Sequence, residues 1–355
     1  MAGRPRLAGP TPCYTYGGIY RDCFDVRVAR QVAGATALPH HLIALGTDFF
    51  ANFDAFAART VWLTDGCLDI SGSHELYFSQ QARKLAPVRL TGNYGSEILR
   101  GVSTFKPTGI SEGLFDTGLA PYLREALASF AETRATHPVS FAAFREIPYN
   151  LYGRLAAAQS QLVLRSPYMD NRLVALMYQA APAIRATNRL SLRLIADMDA
   201  SLSRIPTDMG TRAPGVGPTT YLRRLHRYLT FKAEWYYNAG MPDWLARFDH
   251  NPAARRLERL FLGTHKIEHY RIWFRDQLFA YVQTMLSAQS SATRSYLNQR
   301  SYRDLVTAHR TGAGNCFAAI NKLLTLELVH RLLLDRDYAP PSNTLCEDSS
   351  SHANS

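Results

Sequence analysis

Residues 87–101 read "PVRLTGNYGSEILRG". A short apolar run, Pro87 to Leu90, is followed by three glycines, a tyrosine and a glutamate. The run has strand character, and glycines directly after a strand let the backbone turn sharply and approach a ligand closely. Backbone N–H groups in such a loop attract anions, whereas a carboxylate there repels them unless a cation lies between. The combination suggests a phosphate–magnesium site at the end of a strand, with Glu97, on an exposed loop, as the candidate magnesium ligand. The plainer alternative is a tight turn capping a helix that begins near Ser96.

Working outward, the same alternation of short strand and helix recurs toward the N-terminus. "CYTYG" (Cys13 to Gly17) and "HHLIAL" (His40 to Leu45) read as two further strands. Between them Asp22 is placed to cap a helix with a stripe of Phe24, Val28 and Val32, closed by Gly34. A helix from about Asp48 carries Phe49, Phe53 and Phe56 on one face, and another spans about Glu75 to Leu85. Strands separated by helices of this length imply a parallel sheet, with ligands bound beyond the carboxyl ends of its strands. After about Gly118 strand signals fade and helical periodicity dominates, as in Ile320, Leu324, Leu328 and Leu332. "IPTDMGTRAPGVGPTT" (Ile205 to Thr220) reads as a long loop, and the polar C-terminus as a disordered tail.

Composition sets limits on this. At 355 residues, 46% hydrophobic and 19% charged, the chain can build a sizeable core. No apolar run reaches the roughly 18 residues of a membrane helix, and the N-terminus lacks the apolar segment of a secretory signal. Cys13, Cys23, Cys67, Cys316 and Cys346 form no paired motif, which points to a reducing cytoplasm and against a disulfide framework or zinc knuckle. The net charge of +11 comes mainly from arginine spread along the chain, with only five lysines. No basic run is longer than a pair, which argues against a nucleic-acid partner. "YLRRLHRY" (Tyr221 to Tyr228) does interleave arginine with aromatics; it reads as a solvated helix face with the aromatic stripe turned inward, the alternative being a phosphate-tracking helix.

Two more motifs carry chemistry. "RSPYMD" (Arg165 to Asp170) is a tight turn before an apolar helix, with Asp170 as its N-cap. His265, Glu268 and His269 match the H-x-x-E-H pattern of zinc peptidases, in which two histidines one helical turn apart hold zinc beside a general base. Glu327 is a guess at the third ligand.

Taken together, these pieces resemble the synthetase domain of the glutamine-dependent asparagine synthetases and the related β-lactam synthetases. That family carries Ser-Gly-Glu-Gly-Ser-Asp-Glu in its phosphate loop and Arg-x-Pro-Phe-Leu-Asp at the turn. Gly95-Ser96-Glu97 and Arg165-Ser166-Pro167-Tyr168-Met169-Asp170 fit these two, and the segments from Thr15 to Gly34 and Asn321 to Asp335 resemble the strand and helix that follow its ATP loop and its terminal helix. The resemblance implies an N-terminally truncated adenine-nucleotide α-hydrolase-like α/β fold, followed by a mostly helical half. The implied layout is a linker at 1–12, a nucleotide-binding part at 13–117, a helical synthetase part at 118–338 and a tail at 339–355. It also implies ATP and Mg2+, and an ATP-dependent amide ligase that forms an acyl-adenylate on an aspartate-like carboxylate. Ammonia or an amine then displaces AMP, the ammonia coming from a glutaminase domain that this sequence does not contain. By the match, Glu97 stands at a magnesium-binding aspartate, and Thr91 and Gly92 fall within one position of a nucleotide-contacting Ser-Gly. Tyr94 stands near the family's loop glutamate, a place that a tyrosine assisting deprotonation of the nucleophile takes in the β-lactam synthetases, so the resemblance implies an acid–base group there, or else an aromatic wall.

The departures are specific. The Ser-Gly-Gly-x-Asp-Ser ATP loop is absent, Val163 stands where a partner glutamate belongs, and the loop at Ile205 lacks the family's lysine, Lys232 being the nearest onward. The expectation is that Met1 is internal to a longer ancestral or actual protein. The alternatives are a degenerate, non-catalytic relative and, third, a zinc metallopeptidase built on His265, Glu268 and His269.

Overall fold

The computed structural model describes residues 11–335 apart from 105–106, 108–112, 208–217, 239, 247–250, 252–255, 257, 259, 261, 288–293, 299–301 and 303. Most of the Ile205–Thr220 loop and the whole tail lie outside the described residues. The chain alternates strand and helix at first: β1 (Cys13–Gly17), α1 (Phe24–Thr36), β2 (His40–Ala44), α2 (Thr47–Ala51), α3 (Phe53–Thr64), α4 (Ser73–Arg83) and β3 (Val88–Leu90). Then come α5 (Gly95–Arg100), α6 (Ala120–Arg134), α7 (Pro138–Phe141), a π-helical stretch Ala142–Asn150, α8 (Tyr152–Gln159) and β4 (Val163–Arg165). From there the described elements are helical: α9 (Asn171–Gln179), α10 (Pro182–Arg185), α11 (Arg189–Met198), α12 (Pro218–Asn238), α13 (Asp243–Ala246), α14 (Tyr270–Arg275), α15 (Phe279–Ser287), α16 (Leu305–Thr311) and α17 (Phe317–Val329). The chain is thus α/β with parallel strands in its first half and mostly helical in its second.

Local chemistry explains most boundaries. Asn52 separates α2 from α3, yet Phe49, Phe53 and Phe56 still share one buried face, each at most 2% exposed. Asp170 caps α9 as its sequence suggests, accepting from the backbone N–H groups of Arg172 and Leu173 at 2.9 and 3.3 Å. Asp22 does not cap α1. Cys23 is the N-cap residue, and the Asp22 carboxylate pairs instead with Arg30. The buried face of α1 is Val26 and Ala33, offset from the expected Phe24, Val28 and Val32 stripe, which is half-buried.

The largest core joins the two ends of the chain. Phe49, Phe53, Phe56, Phe78 and Tyr77 pack with Tyr270, Trp273 and Phe274 of α14 and with Ile320, Leu324 and Leu328 of α17. A second, smaller core draws Ile98 and Leu99 of α5 together with Val139, Ala142, Ile147 and Met177. The first core therefore takes side chains from both sides of residue 117.

Instead of one continuous sheet, the strands form two parallel pairs, β1 with β2 and β3 with β4. Cys13 N–H donates to Pro39 and Leu45 N–H donates to Gly17, at 2.8 and 3.1 Å. In a parallel ladder this phase aims the backbones of Cys13, Thr15 and Gly17 at β2 and those of Tyr14 and Tyr16 away from it. Likewise Val163 N–H donates to Pro87 and Thr91 N–H to Arg165, both at 2.9 Å, so Arg89 faces β4 while Val88 and Leu90 face outward. Side chains join the two pairs: the Arg89 guanidinium donates to the hydroxyls of Tyr14 and Tyr16, and to Ser79 of α4 at 3.3 Å. Val88, Leu90 and Val163 lie on the opposite face of β3–β4 from Arg89 and are exposed.

Candidate functional site

The loop after β3 and the turn after β4 meet. Both follow parallel neighbours, so both emerge at the carboxyl ends of their strands. Beyond the backbone bond from Thr91 to Arg165, Ser166 Oγ donates to the Asn93 carbonyl at 2.7 Å. Gly95 packs against Tyr168 so closely that a Cβ there would lie 2.9 Å from the ring. Glycine at 95 thus serves contact between the two motifs, whereas Gly92 faces open space. Thr91 Oγ1 accepts from Asn93 N–H at 3.2 Å, which shapes the turn, and Gly92, Asn93 and Ser96 are exposed.

Tyr94 holds the one unusual backbone conformation of the loop, φ +74° as the N-cap residue of α5. A non-glycine residue in the left-handed region costs roughly 1 kcal/mol or more, and such strain concentrates at functional sites. Burial pushes the Tyr94 phenol up to about 12, with Glu97 adding to the rise and Arg154 and Arg89 opposing it. A general base works best near the ambient pH. Tyr94 in this environment is a hydrogen-bond donor or acid. Glu75, which pairs with Arg154 at 3.3 Å, also acts on Tyr94 through its charge.

Glu97 is not on an exposed loop. It lies in the first turn of α5, 7% exposed, and its Oε1 accepts from Thr104 Oγ1 at 3.0 Å. A second buried carboxylate shares that partner: Glu146 Oε1 accepts from Thr104 N–H at 2.6 Å and from Ser103 Oγ at 3.1 Å. Two carboxylates around a hydroxyl are hard oxygen donors, the set that suits Mg2+ over softer metals. Glu97 and Glu146 would hold such an ion. Glu146 carries no signal in the sequence, being an isolated carboxylate inside "FREIPYN" on a π-helical turn.

The H-x-x-E-H residues are arranged otherwise than a helix would arrange them. Residues 264–269 precede α14 in irregular backbone, after Gly263 at φ +80°. The His265 ring bonds Thr230 at 2.8 Å and the His269 ring bonds Glu234 at 2.9 Å. The two imidazoles thus serve α12, and Glu327 is engaged by Arg294 and Arg331. Among the described residues no group of three or more His, Cys, Asp or Glu could hold a metal ion. Val163 lies exposed on β4, and Lys232 lies on α12 between Tyr228 and Trp235. No described helix is long and apolar enough to cross a membrane.

No family model matches this chain, and neither the curated proteins nor the solved structures contain a match to it.

Proposed function

We propose that this chain is an asparagine synthetase-like, ATP-dependent amide ligase domain whose adenylating centre lies where the loop Thr91–Glu97 meets the turn Arg165–Asp170. The observation that carries the reading is that meeting itself. Two motifs some 70 residues apart in sequence, each resembling a different part of one family's active site, are bonded to each other at the carboxyl ends of adjacent parallel strands. The fold in this reading is adenine-nucleotide α-hydrolase-like. The outward-facing edges of β1 and β3 support it, because Arg89 brings β3 to the β1 side of the first pair without backbone pairing between them. A strand lying between those edges would make one parallel sheet of the two pairs.

In this centre the exposed backbone at Gly92, Asn93 and Ser96 meets the phosphates. Mg2+ at Glu97, when bound, neutralises charge developing on departing pyrophosphate. Tyr94, kept protonated, donates a hydrogen bond to the acyl oxygen, where negative charge develops during attack. The substrate is an aspartate-like carboxylate, with ammonia or an amine as acceptor, in a cytoplasmic setting. A second reading, a non-catalytic relative, is favoured by one feature: both carboxylates turn inward to Thr104.

ATP–pyrophosphate exchange at millimolar ATP separates the two. The ligase reading expects exchange that requires both Mg2+ and a carboxylic acid. It also expects Glu97→Gln to abolish exchange while costing only about 1–3 kcal/mol of stability, the range for a buried hydrogen-bonded group. Absence of exchange with every acid tried, in a folded protein, would leave the non-catalytic reading.

A further inference from the structure

Helix α12 is turned inside out. Its single carboxylate, Glu234, is buried and accepts from the backbone N–H groups of Gly263 and His265 at 2.7 and 2.6 Å and from His269. Thr230 and Asn238 on the same side bond His265 and the Glu268 carbonyl. Arg227 lies over the Phe24 ring at 3.3 Å. The polar side of the helix is therefore its anchor. The opposite side presents Tyr221, Arg224, Leu225, Tyr228, Lys232 and Trp235, which recur at steps of three and four and so form one continuous stripe. Tyr221, Tyr228 and Trp235 are 67%, 49% and 37% exposed. Lys232 Nζ sits between two of the rings, 5.7 Å from the Tyr228 centroid and 5.6 Å from that of Trp235.

The stripe runs about 21 Å at 1.5 Å per residue. Its N-terminal half forms one wall of an open cleft of about 690 Å³ whose other walls bring in Arg100 from the end of α5 and Arg189 from the start of α11. Among the described residues no carboxylate lines that cleft. The row is aromatic and cationic, and the described residues that line the cleft with it add two more arginines. Its chemistry fits a ligand with phosphates at regular spacing and flat rings between them. Base stacking on aromatic side chains tolerates any sequence, while arginine and lysine neutralise the backbone.

We propose that the outer face of α12, with Arg100 and Arg189, is a binding site for single-stranded nucleic acid. This stands independently of the ligase reading. Chain-wide charge counting misses the site, because its cations come from three separate segments and only the fold aligns them.

The test is fluorescence anisotropy with labelled single-stranded RNA and DNA of about 12 nucleotides, a length inside the range such surfaces cover. With four cations engaged, log K should fall with log salt at a slope of about −3, at roughly −0.7 per neutralised phosphate. Arg224→Ala with Lys232→Ala should halve that slope. Tyr221→Ala with Tyr228→Ala should weaken binding at least fivefold and leave the slope unchanged. Tyr221, Arg224 and Tyr228 are exposed and Lys232 is half-buried, and matching circular dichroism melts would verify folding. Lys232→Glu, which adds repulsion without removing a ring, serves as a second variant and should weaken binding more than Lys232→Ala. The proposal falls if inorganic polyphosphate of equal charge binds as tightly. It also falls if anionic phospholipid vesicles are preferred, or if the tyrosine pair is without effect.

Discussion

Replacing Arg89 tests how the two strand pairs are held together. Arg89 belongs to β3 and β4's pair by backbone, yet its guanidinium is spent on Tyr14 and Tyr16 of β1 and on Ser79 of α4. It also lies near both tyrosine rings, 5.7 and 5.5 Å from their centroids. Arg89→Met keeps much of the apolar stem and removes the charge and the donors. The two tyrosine bonds are charge-assisted but half-buried, so about 1 kcal/mol each is appropriate. The ring contacts add roughly 0.5 kcal/mol together. The expected loss is about 2–3 kcal/mol, read as a lower urea midpoint. Arg89→Lys should recover part of it, since it keeps the charge but lacks the planar, spread donors of the guanidinium. Burial already holds the Tyr16 phenol well above its ordinary value, and Arg89 opposes that rise, so its loss should push Tyr16 further up. A change below about 0.5 kcal/mol in Arg89→Met, the size of an ordinary surface substitution, would refute the idea that Arg89 joins the pairs.

Two other perturbations follow from the loop. Gly95→Ala should cost about 1 kcal/mol through contact with the Tyr168 ring, and Tyr168→Leu should relieve it, so additivity in a double-mutant cycle would show that the motifs do not touch. Tyr94 and Tyr296 keep their protons to about pH 12 in the folded chain, but to only about 10 when unfolded. Between those values the folded state binds more protons, so stability must fall as pH rises from about 10 to 12. Tyr94→Phe should flatten that fall, measured by urea titration across the alkaline range, and an unchanged slope would place Tyr94 outside the buried, Glu97-facing setting.

The strands and the aromatic helix face were legible because they rest on local pattern. Alternation in "CYTYG" and "PVRL" marks strands wherever they end up, and Phe49, Phe53 and Phe56 bury together despite the break at Asn52. What escaped depends on neighbours far away in sequence. The split into two strand pairs turns on what lies beside β1 and β3, which alternation does not encode. The spacing of His265 and His269 suggests a shared face only if the segment is helical, and Gly263 opens an irregular turn instead. Periodicity in "YLRRLHRY" finds a stripe but not its direction. The Glu234 network on the other side of α12 decides that. Glu97 looked loop-borne because glycines precede it, whereas Ile98 and Leu99 draw the first turn of α5 into the smaller core.

Photoaffinity labelling with azido-ATP, followed by peptide mapping, tests the proposed adenylating centre most directly, because it reads a site even when affinity is weak. The label should fall on peptides holding Thr91–Arg100 or Arg165–Asp170, require Mg2+, be displaced by excess ATP and drop in Glu97→Gln. Label that is absent, indifferent to Mg2+, or confined to other parts of the chain would contradict the assignment.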